Sequence, residues 1–356
     1  MKNFLGVVLV FLALIPTARA WNAEGHMVVA QIAYNHLEPD VKARCDALIA
    51  VSIPSFTSSS TSTFVTAACW ADDFKSSLGT GIWHYIDIPF SLDGTPTNGV
   101  VADTFDVVRA INMCVATLQN PAANQSTQAV CLRYLIHFVG DVQQPLHAST
   151  AVSAAYPQGD AGGNDFTVKG FGGELHALWD EGGGFLTDSV SRPLSTTAAK
   201  TLSNKAALVE SIYPYDYTTN LNIVQDPIIW AREGWSLAQT VSYVGITQGA
   251  TPSASYLNSA TNTTILRMAQ GGHRLADLLN TIMGTNAVTL RSLVCSNGLC
   301  AFSWNGLTNR TYRVQWKQNL YDPTWNDLTN IPSPGNQPVI ISDVMSQPQR
   351  FYRVIQ

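Results

Sequence analysis

His137-Phe138-Val139-Gly140-Asp141-Val142-Gln143-Gln144-Pro145-Leu146-His147 closes an apolar-periodic run that begins at Gln125. Val130, Tyr134, Ile136, His137 and Asp141 recur at helical spacing through residue 144, and Pro145 follows as a stop signal. On a helix His137 and Asp141 are i and i+4, so both side chains leave one face about 6 Å apart. His147 comes directly after the break. Outward from this stretch, residues 103–119 repeat Val107, Ile111, Cys114, Val115 and Leu118 as a stripe facing a core. Residues 198–213, 227–243 and 255–283 read as further helices, with Pro227 suited to a first turn. From Trp21 to about Gly284 the prediction is therefore a mainly α body. Its connections at 52–63, 159–173 and 182–184 are rich in Gly or Ser, the kind of loop that carries chemistry on a rigid scaffold.

Past residue 285 the period changes. Thr311-Tyr312-Arg313-Val314-Gln315-Trp316-Lys317 alternates polar and apolar, the mark of a half-buried strand. Residues 288–295, 301–304, 339–341 and 350–355 read as further strands between Asn, Pro and Gly turns, which predicts a small all-β, sandwich-like unit. Charge divides in the same place. The tail carries 6 basic and 3 acidic residues, whereas residues 21–285 carry 12 and 22. The expected organisation is a leader over 1–20, a catalytic helical domain over 21–285 and an accessory β domain over 286–356.

Charged residues make up 13% of the chain, about half the usual share, and 46% are apolar, which excludes a wholly disordered protein. Residues 1–20 place Lys2 before an apolar stretch from Phe4 to Ile15 and end in Ala18-Arg19-Ala20, the pattern of a cleaved secretory signal. The apolar stretch is shorter than the ~20 residues a membrane span needs. A secreted or periplasmic product starting at Trp21 is expected, with no stable membrane insertion and a monomeric state. Without the leader, 18 basic face 25 acidic residues, a net of −7, which excludes a broad basic surface gripping nucleic acid. An anionic substrate must then be held by something other than Lys and Arg. Six cysteines in an exported chain predict disulfides, and proximity favours Cys45–Cys69, Cys114–Cys131 and Cys295–Cys300.

Five of the seven histidines stand beside carboxylates. His176 and Asp180 repeat the i, i+4 arrangement of His137 and Asp141, His84 lies in Trp83-His84-Tyr85-Ile86-Asp87, and Asp72 in Trp70-Ala71-Asp72-Asp73. Imidazole nitrogen and carboxylate oxygen are the ligands zinc accepts when no thiolate is offered, and burying so many without a cation is costly. The number of groups points to more than one metal. A freed amine at Trp21 adds a donor five residues before His26. Its pKa near ~8 lets it deprotonate onto a metal, and its own carbonyl closes a chelate. His36 and His273 lack such company and read as structural.

These residues resemble the zinc-dependent single-strand nucleases and 3′-nucleotidases of the fungal S1/P1 type. The resemblance spans Trp21 to about Leu279. It rests on W-x-x-x-G-H at Trp21–His26, W-A-D at Trp70–Asp72, H-Y-I-D at His84–Asp87, H-F-x-G-D-x-x-Q-P-L-H at His137–His147, G-G-N at Gly162–Asn164 and L-H-x-L-W-D at Leu175–Asp180. It implies a helical fold shared with phospholipase C and three zincs. Asp72, His84, His137 and Asp141 would hold one. The Trp21 amine and carbonyl with His26 and a bridging Asp141 would hold its neighbour, and His147, His176 and Asp180 the third. It further implies that Tyr85 stacks on a nucleobase, that Asp87 hydrogen-bonds the base edge, and that Asp72, Lys75 and Asn164 serve the reacting phosphate. The substrates implied are single-stranded nucleic acid and nucleotides. Gln143 and Glu174 stand where the family has His and Asn.

Two rivals remain from the sequence. A zinc phospholipase C shares the N-terminal Trp and nearly the same ligands but ends its set with His-x-x-x-Glu, where Asp180 gives His-x-x-x-Asp. A secreted metal-binding or adhesive protein would instead work through the β tail, whose partner the sequence does not name.

Overall fold

A computed structural model describes residues 21–186, 190–215, 226–284, 290–296, 298–305, 311–319, 321–332, 338–345 and 349–355. The expected leader lies outside the described residues, as do Val288 and Thr289 of the first expected strand.

The body is built from helices α1 (Ala23–His36), α2 (Pro39–Ile49), α3 (Phe64–Ala67), α4 (Trp70–Leu78), α5 (Val107–Gln119), α6 (Gln125–Asp141), α7 (Leu175–Asp180), α8 (Thr196–Ile212), α9 (Pro227–Leu237) and α10 (Ala254–Met283). Side-chain caps explain several starts. Asn22 accepts from Gly25 N at 3.0 Å, Asp106 from Arg109 N at 2.9 Å and Asn124 from Thr127 N at 2.8 Å. The expected helix over 103–119 accordingly begins at Val107, after its cap. The run over 227–243 is α-helical only to Leu237 and widens into a π-helix over Ala238–Ser242.

α6 is the axis of the body. From Cys131 to Asp141 every residue is buried, with α5, α2, α4, α1 and α10 against it. A helix surrounded in this way needs apolar residues on all sides, so its polar His137 and Asp141 must be matched inside the protein. α1 packs on α10, α8 and α3, which places its first turns against the end of α6. A short parallel pair, β1 (Pro89–Ser91) with β2 (Thr150–Val152), ties the segment after His84 to the segment after His147.

α10 ends at Met283 and strands begin at Leu290. The β region holds two three-stranded antiparallel sheets. One is ordered β3 (Leu290–Ser296), β4 (Leu299–Asn305), β7 (Pro338–Val344), the other β6 (Asn326–Pro332), β5 (Thr311–Lys317), β8 (Phe351–Ile355). Phe302 meets Tyr352 at 5.0 Å and Trp304 meets Tyr312 at 5.5 Å between ring centroids, so the sheets face each other across a common core. The expected fold class, helical body then small all-β unit, is the observed one. β6 was not anticipated: Asn326-Asp327-Leu328-Thr329-Asn330-Ile331-Pro332 carries only two apolar side chains before its Pro.

The cysteine expectation needs correction. Cys295 and Cys300, opposite each other on β3 and β4, are bonded, but Cys45, Cys69, Cys114 and Cys131 are buried free thiols. Cys45 lies against Met283 Sδ at 3.9 Å and Cys69 against Ala23 O at 3.6 Å, so closeness in sequence did not bring that pair together. Cys114 and Cys131 do meet between α5 and α6, but as free thiols.

Candidate metal centre

Four helices and two 3-10 turns deliver eight polar side chains to one place. α1 brings His26, α4 Asp72, α6 His137 and Asp141, and α7 His176 and Asp180, while the turns Gly81–His84 and Pro145–Ala148 bring His84 and His147. Asp141 is the hub. Its Oδ2 lies 3.0 Å from His84 Nδ1 and 3.2 Å from His137 Nε2, and its Oδ1 lies 3.4 Å from His26 Nε2 and 3.9 Å from His147 Nδ1. Asp72 Oδ1 stands 3.8 Å from both His84 Nδ1 and His137 Nε2. Three sets bring their donor atoms within 4.8 Å of one another: His26, Asp72 and His137; His84, His137 and Asp141; His147, His176 and Asp180.

Main-chain contacts fix how three of the imidazoles point. His137 Nδ1 is 2.5 Å from Ala68 O, His147 Nδ1 is 2.8 Å from His84 O and His176 Nδ1 is 2.7 Å from Gly162 O. A nitrogen that donates to a carbonyl leaves the other nitrogen of a neutral ring as a lone pair aimed inward. Gly162 makes the last contact feasible: its φ is +62°, and a Cβ there would stand 2.5 Å from Leu146 O. Gly140 is needed for a different reason, since its Cβ would lie 3.0 Å from His26 Nδ1.

The electrostatics are mixed. Burial, reinforced by His137, pulls the His26 imidazole down to about 3. Burial also lowers His84. His137 is pulled down by burial but held above its ordinary value by the Asp141 and Asp72 carboxylates. Burial alone would raise Asp141 and Asp72, yet the surrounding imidazoles, with Lys75 beside Asp72, hold both well below the carboxylate range. Asp180 goes the other way, raised by burial against the hydrogen bond it accepts from Gln144 Nε2 at 2.8 Å.

The donors fit zinc. Among the described residues, both oxygens of buried Asp141 and both nitrogens of His26 have close neighbours but no hydrogen bond of proper direction. Such a group is satisfied by a cation rather than by an N–H. The set is imidazole and carboxylate with no thiolate, the composition zinc takes at hydrolytic sites.

The remaining expected residues surround this group. Trp21 is fully buried, with Nε1 donating to Gly140 O at 3.0 Å, and Asn22 N donates to Asp180 O at 3.1 Å. The chain entering α1 is thus stitched to the ends of α6 and α7. Lys75 Nζ bonds Asp72 Oδ1 at 2.9 Å. Asn164 follows Gly162-Gly163 and donates to Ala161 O at 2.6 Å. Tyr85 and Asp87 are half-buried, on the segment whose Ile86 N bonds His147 O at 2.8 Å. Burial, then Asp103 and Asp160, pushes the Asp87 carboxyl up to about 7.

Other residues emerge only in three dimensions. A cavity of about 310 Å³ beside Asp72 is lined by Asn22, Asp73, Lys75, Ser76 and Arg192. Arg192 forks onto Asp73 at 2.7 and 3.0 Å across 119 positions, with no signal in the sequence but the Asp72-Asp73 doublet. Asp160, which accepts from Tyr243 OH at 2.5 Å, was also missed. Of the two departures from the family pattern, Gln143 is fully buried with Oε1 accepting from Arg274 at 2.9 Å, and Glu174 occupies the N-cap position of α7, half-buried.

The S1/P1 Nuclease family model matches residues 21–284. Nuclease P1 of Penicillium citrinum is 29% identical over 297 residues, 74% of this chain and 98% of that protein. Endonuclease 4 of Arabidopsis thaliana is 27% identical over 316 residues, 80% of this chain and 96% of its own length. Nuclease S1 of Aspergillus oryzae is 25% identical over 309 residues, covering 79% and 98%. Among solved structures, alpha toxin from Clostridium absonum aligns with a TM-score of 0.40 at 10% identity, over 93% of this chain and 83% of that one.

Proposed function

The chain belongs to the S1/P1 nuclease family, and from that premise we propose that it is a secreted, zinc-dependent endonuclease. It hydrolyses phosphodiester bonds of single-stranded DNA and RNA to 5′-phosphate products and acts as a 3′-nucleotidase. The observation that carries this reading is the convergence on Asp141 of imidazoles with no hydrogen-bonding answer to its two oxygens.

Asp72, His84, His137 and Asp141 would hold one zinc, the Trp21 amine and carbonyl with His26 and Asp141 a second, and His147, His176 and Asp180 a third. When bound, zinc acidifies water toward neutral pH and supplies the positive charge that an acidic protein lacks at a phosphate. Asp72, locked by Lys75 at 2.9 Å, orients the attacking water and accepts its proton. Lys75, at the cavity beside Asp72, and Asn164 steady the phosphate oxygens as charge develops. Tyr85 stacks on an unpaired base whose edge meets Asp87, which selects single strands over duplex. The β unit over 286–356 is an accessory domain.

Zinc-loaded protein processed to Trp21 should cut single-stranded DNA, RNA and 3′-mononucleotides, and lose that activity with EDTA and with His137→Ala. Retained activity after complete chelation overturns the zinc mechanism, and turnover of phosphatidylcholine without nucleic acid cleavage transfers the chain to a phospholipase reading.

A further inference from the structure

Metal-binding side chains gather a second time at the opposite end of α1. His36 in its last turn, Glu210 in α8 and His273 in α10 each place a donor atom within 4.8 Å of the other two. His36 Nε2 lies 2.5 Å and His273 Nε2 3.7 Å from the same atom, Glu210 Oε1. The second carboxylate oxygen is already engaged by Asn35 Nδ2 at 3.2 Å. Tyr215 covers the group, stacked on His36 at 4.9 Å and edge-on to His273 at 5.1 Å.

The 3.7 Å between His273 Nε2 and Glu210 Oε1 is long for a direct N–H to carboxylate bond. It does suit two ligands of one cation. With zinc–ligand bonds of about 2.0–2.1 Å at tetrahedral angles, donor atoms stand about 3.4 Å apart. Several imidazole–carboxylate pairs of the Asp141 group lie at 3.4, 3.6 and 3.8 Å. His273 is held rigidly, with a fully buried side chain. His36 is not: its side chain is 31% exposed, so its contact with Glu210 can open by the ~1 Å that metal ligation requires and solvent ions can reach it.

We propose that His36, Glu210 and His273 form a further divalent-cation site, for zinc or another transition ion that takes imidazole and carboxylate. Water completes its coordination. Ten residues of α1, about 15 Å, separate it from His26. The ion pins α1 to α8 and α10 and so braces the helix that presents His26. This site does not depend on the nuclease reading.

The test is zinc anomalous diffraction and zinc analysis on the zinc-loaded, correctly processed chain, with His36→Gln and Glu210→Gln alongside. The expected result is an anomalous peak among the three side chains, one ion fewer per chain in each variant, and single-strand cleavage within twofold of wild type. A wild-type crystal with no peak there overturns the proposal, as does an unchanged ion count in His36→Gln. The partly exposed His36 variant decides if Glu210→Gln does not fold. Zinc at this position with no nucleic acid cleavage would sustain the proposal while removing the nuclease reading.

Discussion

His147 and His176 turn their Nε2 atoms toward each other at 3.0 Å while both Nδ1 atoms face main-chain carbonyls. Both Nε2 atoms are then lone pairs, and two lone pairs at that distance repel unless a positive charge lies between them. A shared proton would require an imidazolium where the side chains are 1% and 5% exposed. A metal cation removes the conflict at no such cost.

Chelation should therefore do more than stop the reaction. Ions that bind only the folded chain contribute about 4 kcal/mol at a thousandfold excess over Kd, and losing that from a domain of this size lowers Tm by roughly 10 °C. Calorimetry before and after EDTA, then with zinc restored, checks this. Equal melting temperatures would mean that the imidazoles are balanced without metal.

Asp72 and Lys75 are one turn apart on α4 and bonded at 2.9 Å. If Asp72 handles the proton of the attacking water, Asp72→Asn lowers kcat by about 10²–10⁴-fold. If Lys75 also holds the phosphate, as proposed, Lys75→Met should raise KM as well as lower kcat, and Lys75→Arg should recover part of both. Steady-state kinetics on a short single-stranded oligonucleotide test the proposed phosphate contact of Lys75. A Lys75→Met protein with wild-type KM would confine Lys75 to positioning Asp72.

Asp87 gives a pH signature. Burial, then the charges of Asp103 and Asp160, raises its carboxyl from 3.8 to about 7. A raised acid binds its proton more tightly when folded, so its stabilising contribution is complete below about 4 and is lost as pH rises toward 7. At its upper limit this amounts to about 4 kcal/mol. Asp87→Asn should flatten the fall of Tm between pH 4 and 7 relative to wild type. Parallel Tm curves for the two proteins would show that Asp87 keeps an ordinary acidity.

Gln143 supplies a contrasting case inside the same motif. Its Oε1 accepts from Arg274 Nη1, and Arg274 and Arg267 share Glu233 Oε2 at 2.7 and 2.6 Å. Removing an acceptor from a buried guanidinium costs about 1–3 kcal/mol. Gln143→Ala should lower stability by that much, read from urea unfolding, with kcat within twofold. A large kcat loss at unchanged stability would place Gln143 in the reaction after all.

What was legible in the sequence follows from which distances the backbone dictates. His137 with Asp141 and His176 with Asp180 are i, i+4 pairs, so helical geometry alone put each on one face, and the Pro145 break announced the turn carrying His147. Arg192 with Asp73, or Gln143 with Arg274, are joined only by tertiary packing, and no local pattern marks them. The same reason undid the Cys45–Cys69 expectation, since α2 and the turn before α4 present those sulfurs to different neighbours. β6 escaped because alternation is visible only where one face is apolar, and Asn326–Pro332 is mostly polar on both.

The last prediction concerns processing. Trp21 is buried, its indole bonded to Gly140 O at 3.0 Å, and Gly25 stands so close that a Cβ there would lie 2.7 Å from Trp21 Cβ. The ring is locked against Gly140, next to Asp141 at the end of α6, and on the proposed assignment its freed main-chain nitrogen would join His26 and Asp141. A free amine there is a zinc donor, whereas an amide nitrogen with residues 1–20 still attached has no lone pair to give. Protein that retains even one residue before Trp21 should bind one zinc fewer and cleave at least tenfold more slowly, and protease trimming to Trp21 should restore both. Gly25→Ala should weaken the same zinc by displacing the ring, with His147, His176 and Asp180 still loaded. Equal zinc content and equal rates for trimmed and untrimmed protein would remove Trp21 from the metal ligands.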